Sequence, residues 1–299
     1  MLATMGGCRR KTGAKQGSEI GSTRPENGGL AIAHRVITLT PSLTEIVFAL
    51  GAGDRIVGVS DYCDFPPAAR QRPKVGSFLS PSIERILALH PDLVLLDSVQ
   101  HDVAAMLEHA GSRVLLVPMQ DLGQVQASLV SIGRALGDRE QAGEALRAQL
   151  EREIAEVRSQ TAGQPPRRVM FVVDRQIGGL RGLVVAGPGS YLDELMRVAG
   201  GENIFSDMKA RYGKVAVETI EERRPEVILD AVHTEAGQAE LLRQDWMVLA
   251  RVPAVATGQV HVLGSREFVT PGPRIGQVLH ELVALLHPKT AAAHPPAQK

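Results

Sequence analysis

Two segments of the chain, 134 positions apart, carry the same pattern of residues. In residues 82–96 and 216–230, an amphipathic helix with an acidic first turn leads to a Pro, an acidic residue and an apolar run. Glu84 corresponds to Glu218, and Asp92 corresponds to Glu226. The pattern predicts a duplicated helix-turn-strand unit, and therefore two related lobes with a ligand-binding cleft between them.

The repeat extends upstream of these segments with a changed spacing. Arg35 and Arg168, which both precede apolar strand patterns, are 133 positions apart, whereas Leu43 and Leu192, which both belong to amphipathic helices, are 149 apart. The difference predicts about sixteen extra residues in the second lobe, around residues 174–188.

The order of strand and helix patterns predicts an α/β fold, with two Rossmann-like lobes whose sheets are mostly parallel. In the first lobe, residues 34–137, we predict strands at 35–40, 56–59, 93–97 and 113–117 and helices at 42–51, 81–89, 101–110 and 121–136. In the second lobe, residues 164–287, we predict strands at 168–173, 183–186, 226–230 and 260–263 and helices at 189–199, 215–223, 235–250 and 272–287.

A single long helix is predicted between the lobes, over residues 138–163. Leu146, Leu150 and Ile154 fall on one stripe of a segment rich in strong helix formers. Such a helix of about twenty residues is roughly 30 Å long and resists hinge bending. Residues 1–33, most of which are polar or Gly up to about Gly29, and residues 288–299 are predicted to be disordered tails.

Composition excludes several classes of function. The 33 basic and 33 acidic residues balance, so the sequence has no electrostatic footprint for nucleic acid. No run approaches the eighteen apolar residues of a membrane-spanning helix. The two Cys and nine scattered His form no metal-binding pattern, so no metal site is predicted.

The amino terminus has two interpretations. Small residues before Cys8, followed by a polar spacer, are typical of the end of a bacterial lipoprotein signal, in which the Cys is the lipidated residue. The alternative is an unstructured tail with an incidental Cys.

Ligand-binding candidates lie in the loops after the strands, because ligands of parallel α/β sheets bind beyond the carboxyl ends of the strands. A planar, largely apolar ligand edged with amides or carboxylates would suit the aromatic rings and the guanidinium found there. The alternative is that the rings at 62 and 65 only pin a Pro-rich loop. The predicted ligand-binding residues are Pro41, Ser42, Tyr62, Phe78, Asp97, Ser98, Arg266 and Phe268.

No catalytic set is recognisable. The chain has no Gly-x-Ser-x-Gly elbow and no phosphate-binding loop, and the Gly-rich residues 186–189 read as a turn.

Glu84 and Glu218 have two explanations that the residues alone leave open. An acidic group in the first turn of a helix is favourable by roughly 0.3–1 kcal/mol without any partner. Two carboxylates at equivalent places on two lobes would also pair with one Arg from each subunit of a two-fold symmetric partner.

Taken together, several motifs resemble the periplasmic binding proteins that serve ABC importers of ferric siderophores, haem and cobalamin. The resemblance covers residues 35–287 and is strongest with the cobalamin-binding branch. It rests on RVITLTPSLTE at 35–45, GVSDYCDFPP at 58–67, PKVG at 73–76, IERI at 83–86 with PDLV at 91–94, and GGENIF at 200–205.

The resemblance implies a monomeric, extracytoplasmic solute-binding protein without cofactor or enzymatic activity. It implies that Tyr62 lines the site, and that Glu84 and Glu218 dock onto an ABC permease dimer that works with ATPase subunits. Phe78 stands where the cobalamin proteins often have Trp. A corrinoid is the first expected ligand, followed by haem or a ferric siderophore, and a tetrapyrrole- or metal-processing enzyme with Asp61 or Asp174 as base is the alternative from another class.

Overall fold

A computed structural model of the chain describes residues 31–232 and 238–288. Cys8, most of both predicted tails and the first part of the helix predicted at 235–250 lie outside these ranges. Ala33, which we assigned to the tail, is buried, and its N–H donates to the Leu136 carbonyl at 3.0 Å. The first lobe therefore includes at least this residue.

The first lobe is built on a four-stranded parallel sheet in the order β2-β1-β3-β4. Its strands consist largely of buried aliphatic residues, as expected for a parallel sheet covered by helices on both faces. The strands are β1 (Val36–Thr38), β2 (Ile56–Val59), β3 (Leu93–Asp97) and β4 (Val114–Val117). The helices are α1 (Pro41–Ala49), α2 (Ile83–Ala88), α3 (His101–His109) and α4 (Leu122–Ala135).

The two lobes are joined by α5 (Glu140–Thr161), a helix of 22 residues. Its buried stripe, which includes Leu150, Ile154 and Val157, packs on the core, and its other faces are charged. Close packing on α4 requires Gly143, because a Cβ there would lie 2.4 Å from the Leu129 carbonyl oxygen. At about 1.5 Å per residue this helix is about 33 Å long, which agrees with the predicted connector.

The second lobe contains a six-stranded, mixed sheet in the order β10-β9-β5-β6-β8, with β7 also paired to β5. Its strands are β5 (Arg167–Asp174), β6 (Val184–Ala186), β7 (Gly201–Asn203), β8 (Tyr212–Lys214), β9 (Val227–Asp230) and β10 (Val260–Val262). Its helices are α6 (Tyr191–Val198), α7 (Val217–Arg223), α8 (Ala239–Asp245), α9 (Pro253–Ala256) and α10 (Ile275–Leu286).

The duplication is visible in the topology. In the second lobe, β7, β5, β9 and β10 are joined by parallel pairings in the same order as β2, β1, β3 and β4 in the first. The extra residues predicted around 174–188 form a loop and the antiparallel strand β6, which pairs with β5 and β8. The predicted α/β fold, with two lobes joined by one long helix, is confirmed.

Side chains that the repeat conserves make the same hydrogen bonds in both lobes. The Asp92 carboxylate accepts the backbone N–H of Arg35 at 3.0 Å, and the Glu226 carboxylate accepts that of Arg168 at 3.1 Å. Each carboxylate thus fastens the start of one strand to the start of its neighbour.

The backbone before the repeated Pro is also the same. His90 and Arg224 have φ angles of 45° and 47°, in the left-handed region that often ends a helix. Both residues turn the chain from a helix into the following strand.

Three short elements and one helix break differ from the prediction. The strands β7 and β8 have only three residues each, and the sequence of neither shows apolar alternation. The four-residue helix α9 was also not predicted. Within the predicted helix 235–250, α8 ends at Asp245 and a 3₁₀ turn follows over Trp246–Leu249.

Across residues 31–232 and 238–288, no helix combines the length and apolar character needed to cross a membrane.

Candidate functional site

A cavity of about 330 Å³ lies between the lobes, at the carboxyl ends of the strands of both sheets. The first lobe contributes the start of α1 and the loop after β2, and the second contributes the ends of β5, β9 and β10. The lining residues are Pro41, Ser42, Tyr62, Val173, Asp174, Ala231, Leu263, Gly264, Ser265, Arg266, Val269 and Thr270.

The start of α1 forms one wall because its sequence caps the helix there. The Thr40 hydroxyl accepts the N–H of Leu43 at 3.3 Å, and Pro41 occupies the first turn, where its missing N–H costs nothing. The positive end of the helix dipole therefore faces the cavity beside Ser42, and it favours electron-rich ligand atoms.

The loop that carries Tyr62 is fixed from beneath by buried polar groups. The Cys63 thiol lies 3.1 Å from the hydroxyls of both Ser60 and Thr44, and the Lys74 ammonium donates to the Cys63 carbonyl at 2.8 Å. Burial raises the pKa of the Cys63 thiol, so this side chain remains a neutral packing group. Tyr62 itself is 51% exposed, and its ring faces the cleft.

Arg266 reaches across the cleft to this ring. It belongs to a 3₁₀ turn over Arg266–Val269 in the second lobe, and its guanidinium lies 4.9 Å from the centroid of the Tyr62 ring. A cation over an aromatic face is favourable by about 0.5–1 kcal/mol at exposed sites, so this contact by itself holds the two lobes together only weakly.

An ion pair between the lobes lies beside the cavity. Arg274 donates to both carboxylate oxygens of Glu45, at 2.7 and 2.9 Å, and also pairs with Glu267. Its guanidinium lies 4.1 Å from the centroid of the Phe65 ring. Burial raises the pKa of Glu45, and the hydrogen bonds from Arg274 offset part of this effect.

Hydrogen bonds also join the two lobes beside the connecting helix. The Glu194 carboxylate accepts the N–H of Leu122 at 2.6 Å, at the first residue of α4. The N–H of Tyr191 donates to the Gln120 carbonyl at 2.8 Å, and Arg211 donates to the Gln120 side chain. These contacts and the ion pair between Arg274 and Glu45 both oppose separation of the lobes.

The structure brings four of the eight predicted ligand-binding residues together around the cavity. These are Pro41, Ser42, Tyr62 and Arg266.

The other four predicted residues do not line this cavity. Phe268 is only 5% exposed and belongs to the hydrophobic core, because the 3₁₀ turn directs its ring inward. Phe78 and Ser98 are half-buried in loops at the same edge of the first sheet. The Asp97 carboxylate accepts the N–H of Val99 at 3.0 Å and stabilises the turn after β3.

Some residues in and beside the cavity were not predicted from the sequence. Val269 and Thr270 line the cavity directly after the predicted Phe268, and their sequence has no recognisable binding pattern. Glu45 and Arg274 are 229 positions apart, so no local pattern could predict their ion pair.

Glu84 and Glu218 lie in the first turns of α2 and α7, as predicted, and both side chains are exposed. Among the described residues neither carboxylate has an ion-pair partner. Both carboxylates lie near the positive end of a helix dipole, which favours them without a partner, and both remain available to a partner protein.

Over the ranges that the structure describes, no group of three or more His, Cys, Asp or Glu side chains is placed to hold a metal ion.

Comparison with known proteins gives a consistent result. The family model described as periplasmic binding protein matches residues 36–267. The chain belongs to the periplasmic binding protein family. The family works outside the cytoplasm with ABC permease and ATPase partners, and the relatives are binding proteins rather than enzymes.

Individual relatives bind different ligands. A vitamin B12-binding protein of Salmonella typhimurium is 32% identical over 249 residues, which cover 82% of this chain and 87% of the relative. The crystal structure of the periplasmic vitamin B12 binding protein of Vibrio cholerae matches with a TM-score of 0.74 and 25% identity, covering 85% of this chain and 96% of that one. A periplasmic haem-binding protein of Roseiflexus sp. RS-1 matches with a TM-score of 0.75 and 28% identity, covering 86% and 99%.

Proposed function

We propose that this protein captures a corrinoid such as cobalamin between its lobes and delivers it to an ABC permease. The observation that carries the proposal is the mixed lining of the cleft beside an exposed aromatic ring. Arg266 and Asp174 provide one charge of each sign, and Ser42, Ser265 and Thr270 add hydroxyl groups.

A corrinoid suits this lining because its ring is bordered by amide groups. Amides donate and accept hydrogen bonds, so a mixture of Arg, Asp and hydroxyl groups can bind them. A ligand edged only with carboxylates could pair with Arg266 but would leave Asp174 facing a like charge. The named vitamin B12-binding relatives support the same choice.

The cavity must widen to admit such a ligand. Its volume of about 330 Å³ lies at the lower end of the usual range of about 300–1,000 Å³ for ligand sites. We expect Arg266 to swing off Tyr62 and the lobes to separate slightly, because the connecting helix and the inter-lobe contacts oppose wide opening.

Haem is the second candidate ligand. Tyr62 presents an exposed phenol in the cleft, and a Tyr oxygen is an established type of axial haem ligand. The haem-binding structural neighbour is consistent with this alternative.

Calorimetric and visible-absorption titrations with cyanocobalamin, haemin and a ferric siderophore test the proposal. We expect tight one-to-one binding of cyanocobalamin without turnover. If the protein did not bind cyanocobalamin but gave a haemin spectrum typical of Tyr-ligated iron, haem and not a corrinoid would be its ligand. Formation of a product would contradict the carrier role altogether.

Glu84 and Glu218 are proposed to dock onto permease arginines, one in each permease subunit. The Glu84→Ala/Glu218→Ala protein should lose ligand uptake into cells while its affinity for the ligand stays the same, because both carboxylates lie outside the cleft. Weaker ligand binding by this variant would argue against the docking role.

Cys8 is proposed as the site of a lipid anchor. We expect the protein to incorporate a labelled fatty acid and the Cys8→Ser variant to lose this incorporation.

A further inference from the structure

A groove with exposed apolar side chains lies on the second lobe, between residues 177–180 and the helix α8 with its following 3₁₀ turn. Its volume is about 480 Å³. Ile177, Leu241 and Val248 line it and are 60%, 62% and 76% exposed. Because soluble proteins rarely expose large apolar side chains together, such a cluster marks an interaction surface.

The walls of the groove are held by one buried guanidinium. Arg175 donates from Nε to Asp230 at 2.9 Å and from Nη1 to Asp245 at 2.7 Å. It also donates to the carbonyls of Gly179 and Leu242, at 2.9 and 3.0 Å, which belong to opposite walls. The groove is therefore formed before any partner binds, and binding has little ordering entropy to overcome.

The groove shares its edge of the sheet with Glu218. The strand β9 is parallel to β5, and β8 runs in the same direction as β5 because both are antiparallel to β6. The groove loop follows β5, α8 follows β9, and α7 with Glu218 follows β8. All three segments thus begin at the carboxyl edge of the sheet.

The groove also shares a face of the sheet with Glu218. Ile220 of α7 and Trp246, which follows α8, belong to the same buried cluster. The helices α7 and α8 therefore cover the same side of the sheet, so Glu218 and the groove lie at the same edge and on the same face of the second sheet.

The first lobe has a related arrangement. Leu79, in the loop before α2, is 88% exposed, and Val99, after β3, is 57% exposed. Gln100 donates to the Phe78 carbonyl at 2.7 Å and ties these two loops together. Each lobe therefore presents exposed apolar side chains at the edge of the sheet where its helix-start carboxylate, Glu84 or Glu218, is found.

We propose that the groove lined by Ile177, Leu241 and Val248 is a docking site for the ABC permease, and that it receives an apolar side chain of the permease subunit that also pairs with Glu218. This inference rests on the proposed docking role of the two glutamates. The carboxylates steer and align the partners, and the groove supplies the desolvated apolar contact that slows dissociation.

The test compares Leu241→Glu/Val248→Glu with a matched control, Ile32→Glu. Ile32 is 45% exposed and precedes β1, at the opposite edge of the first sheet. Binding of each protein to the detergent-solubilised permease–ATPase complex of the source organism is measured by surface plasmon resonance. We expect the groove variant to bind about tenfold or more weakly, mainly through faster dissociation, while the control binds as the wild type does.

Ligand affinity and thermal unfolding are measured for every variant, and Leu241→Ser provides a milder change if the double variant fails to fold. The Glu84→Ala/Glu218→Ala protein is measured alongside. Permease binding that is lost in this protein but unchanged in the groove variants would overturn the groove proposal and leave the docking glutamates in place. The groove proposal and the docking role of the glutamates would both be overturned if the groove variants and the glutamate variant all bound the permease as the wild type does. Absence of permease binding by the wild type would also overturn both proposals.

Two further results would overturn the groove proposal alone. The first is equal weakening in the Ile32→Glu control. The second is wild-type self-association in sedimentation that the groove variant abolishes without a change in permease binding, because the occupant would then be a second copy of this chain.

Discussion

Replacing Arg274 by Ala should destabilise the protein more than replacing Glu45 by Ala, although both changes break the same inter-lobe ion pair. The two variants differ in the burial and the pairing of the charged group that remains after the substitution. The Glu45 side chain is only 3% exposed, and in Arg274→Ala its carboxylate loses its cation. Without Glu45, the Arg274 guanidinium is 19% exposed and keeps its second partner, Glu267.

The expected losses follow from this difference. Leaving a buried charge without its partner costs about 3–5 kcal/mol, which we expect for Arg274→Ala. Losing hydrogen bonds to a charged group that keeps another partner costs about 1.5–3 kcal/mol, which we expect for Glu45→Ala.

The loss in Arg274→Ala should also depend on pH. Burial already raises the pKa of Glu45 above its ordinary value, and removal of the guanidinium raises it further. Between the ordinary pKa and this raised value the folded state holds a proton that the unfolded state has released. Stability therefore falls as pH rises through this interval, and the loss should be smaller at about pH 5 than at about pH 8.

Urea unfolding followed by circular dichroism at both pH values measures these quantities. Arg134→Ala is the matched control, because its ion pair with Glu140 is exposed and should contribute nothing measurable. An Arg274→Ala protein that is more stable than Glu45→Ala, or whose loss of stability grows as pH falls, would refute the reasoning.

Two further predictions concern the site and the connector. Tyr62→Ala should weaken ligand binding by about tenfold in calorimetry, because a stacking ring is lost, and should lower the free energy of unfolding by at most about 1 kcal/mol, since the residue is 51% exposed and only its contact with Arg266 is lost; an unaltered affinity would place the ligand elsewhere. Gly143→Ala should cost about 1–3 kcal/mol in thermal unfolding, because its Cβ would lie 2.4 Å from a carbonyl oxygen of α4. Gly264→Ala is its control, with open space around the added carbon, and equal losses in both proteins would show that the close packing of α4 and α5 has no energetic role.

The main features of the fold could be predicted because they depend on local patterns that occur twice. The acidic residue after each repeated Pro accepts a backbone N–H from the neighbouring strand, and the sequence shows this residue in both copies. The connecting helix was predictable because a 22-residue element has a clear apolar stripe and strong helix formers. The three-residue strands β7 and β8 were not, since such short strands are specified by their neighbours in the sheet rather than by their own sequence.

The candidate site was predictable only in part, for a related reason. The loops after the strands could be located, and Tyr62 and Arg266 do meet across the cleft. The direction of each side chain depends on turns that the sequence does not reveal, and the 3₁₀ turn that buries Phe268 is an example. Contacts between distant residues, such as Glu45 with Arg274, require the assembled lobes.

The central claim is that the cleft between the duplicated lobes holds a corrinoid. A crystal structure of the protein grown with cyanocobalamin tests it most directly. We predict electron density for one corrin ring against Tyr62, with Arg266 moved off the phenol and within hydrogen-bonding distance of the ligand. An empty cleft, or a corrinoid bound instead in the groove between α4, α5 and α6, would contradict the account.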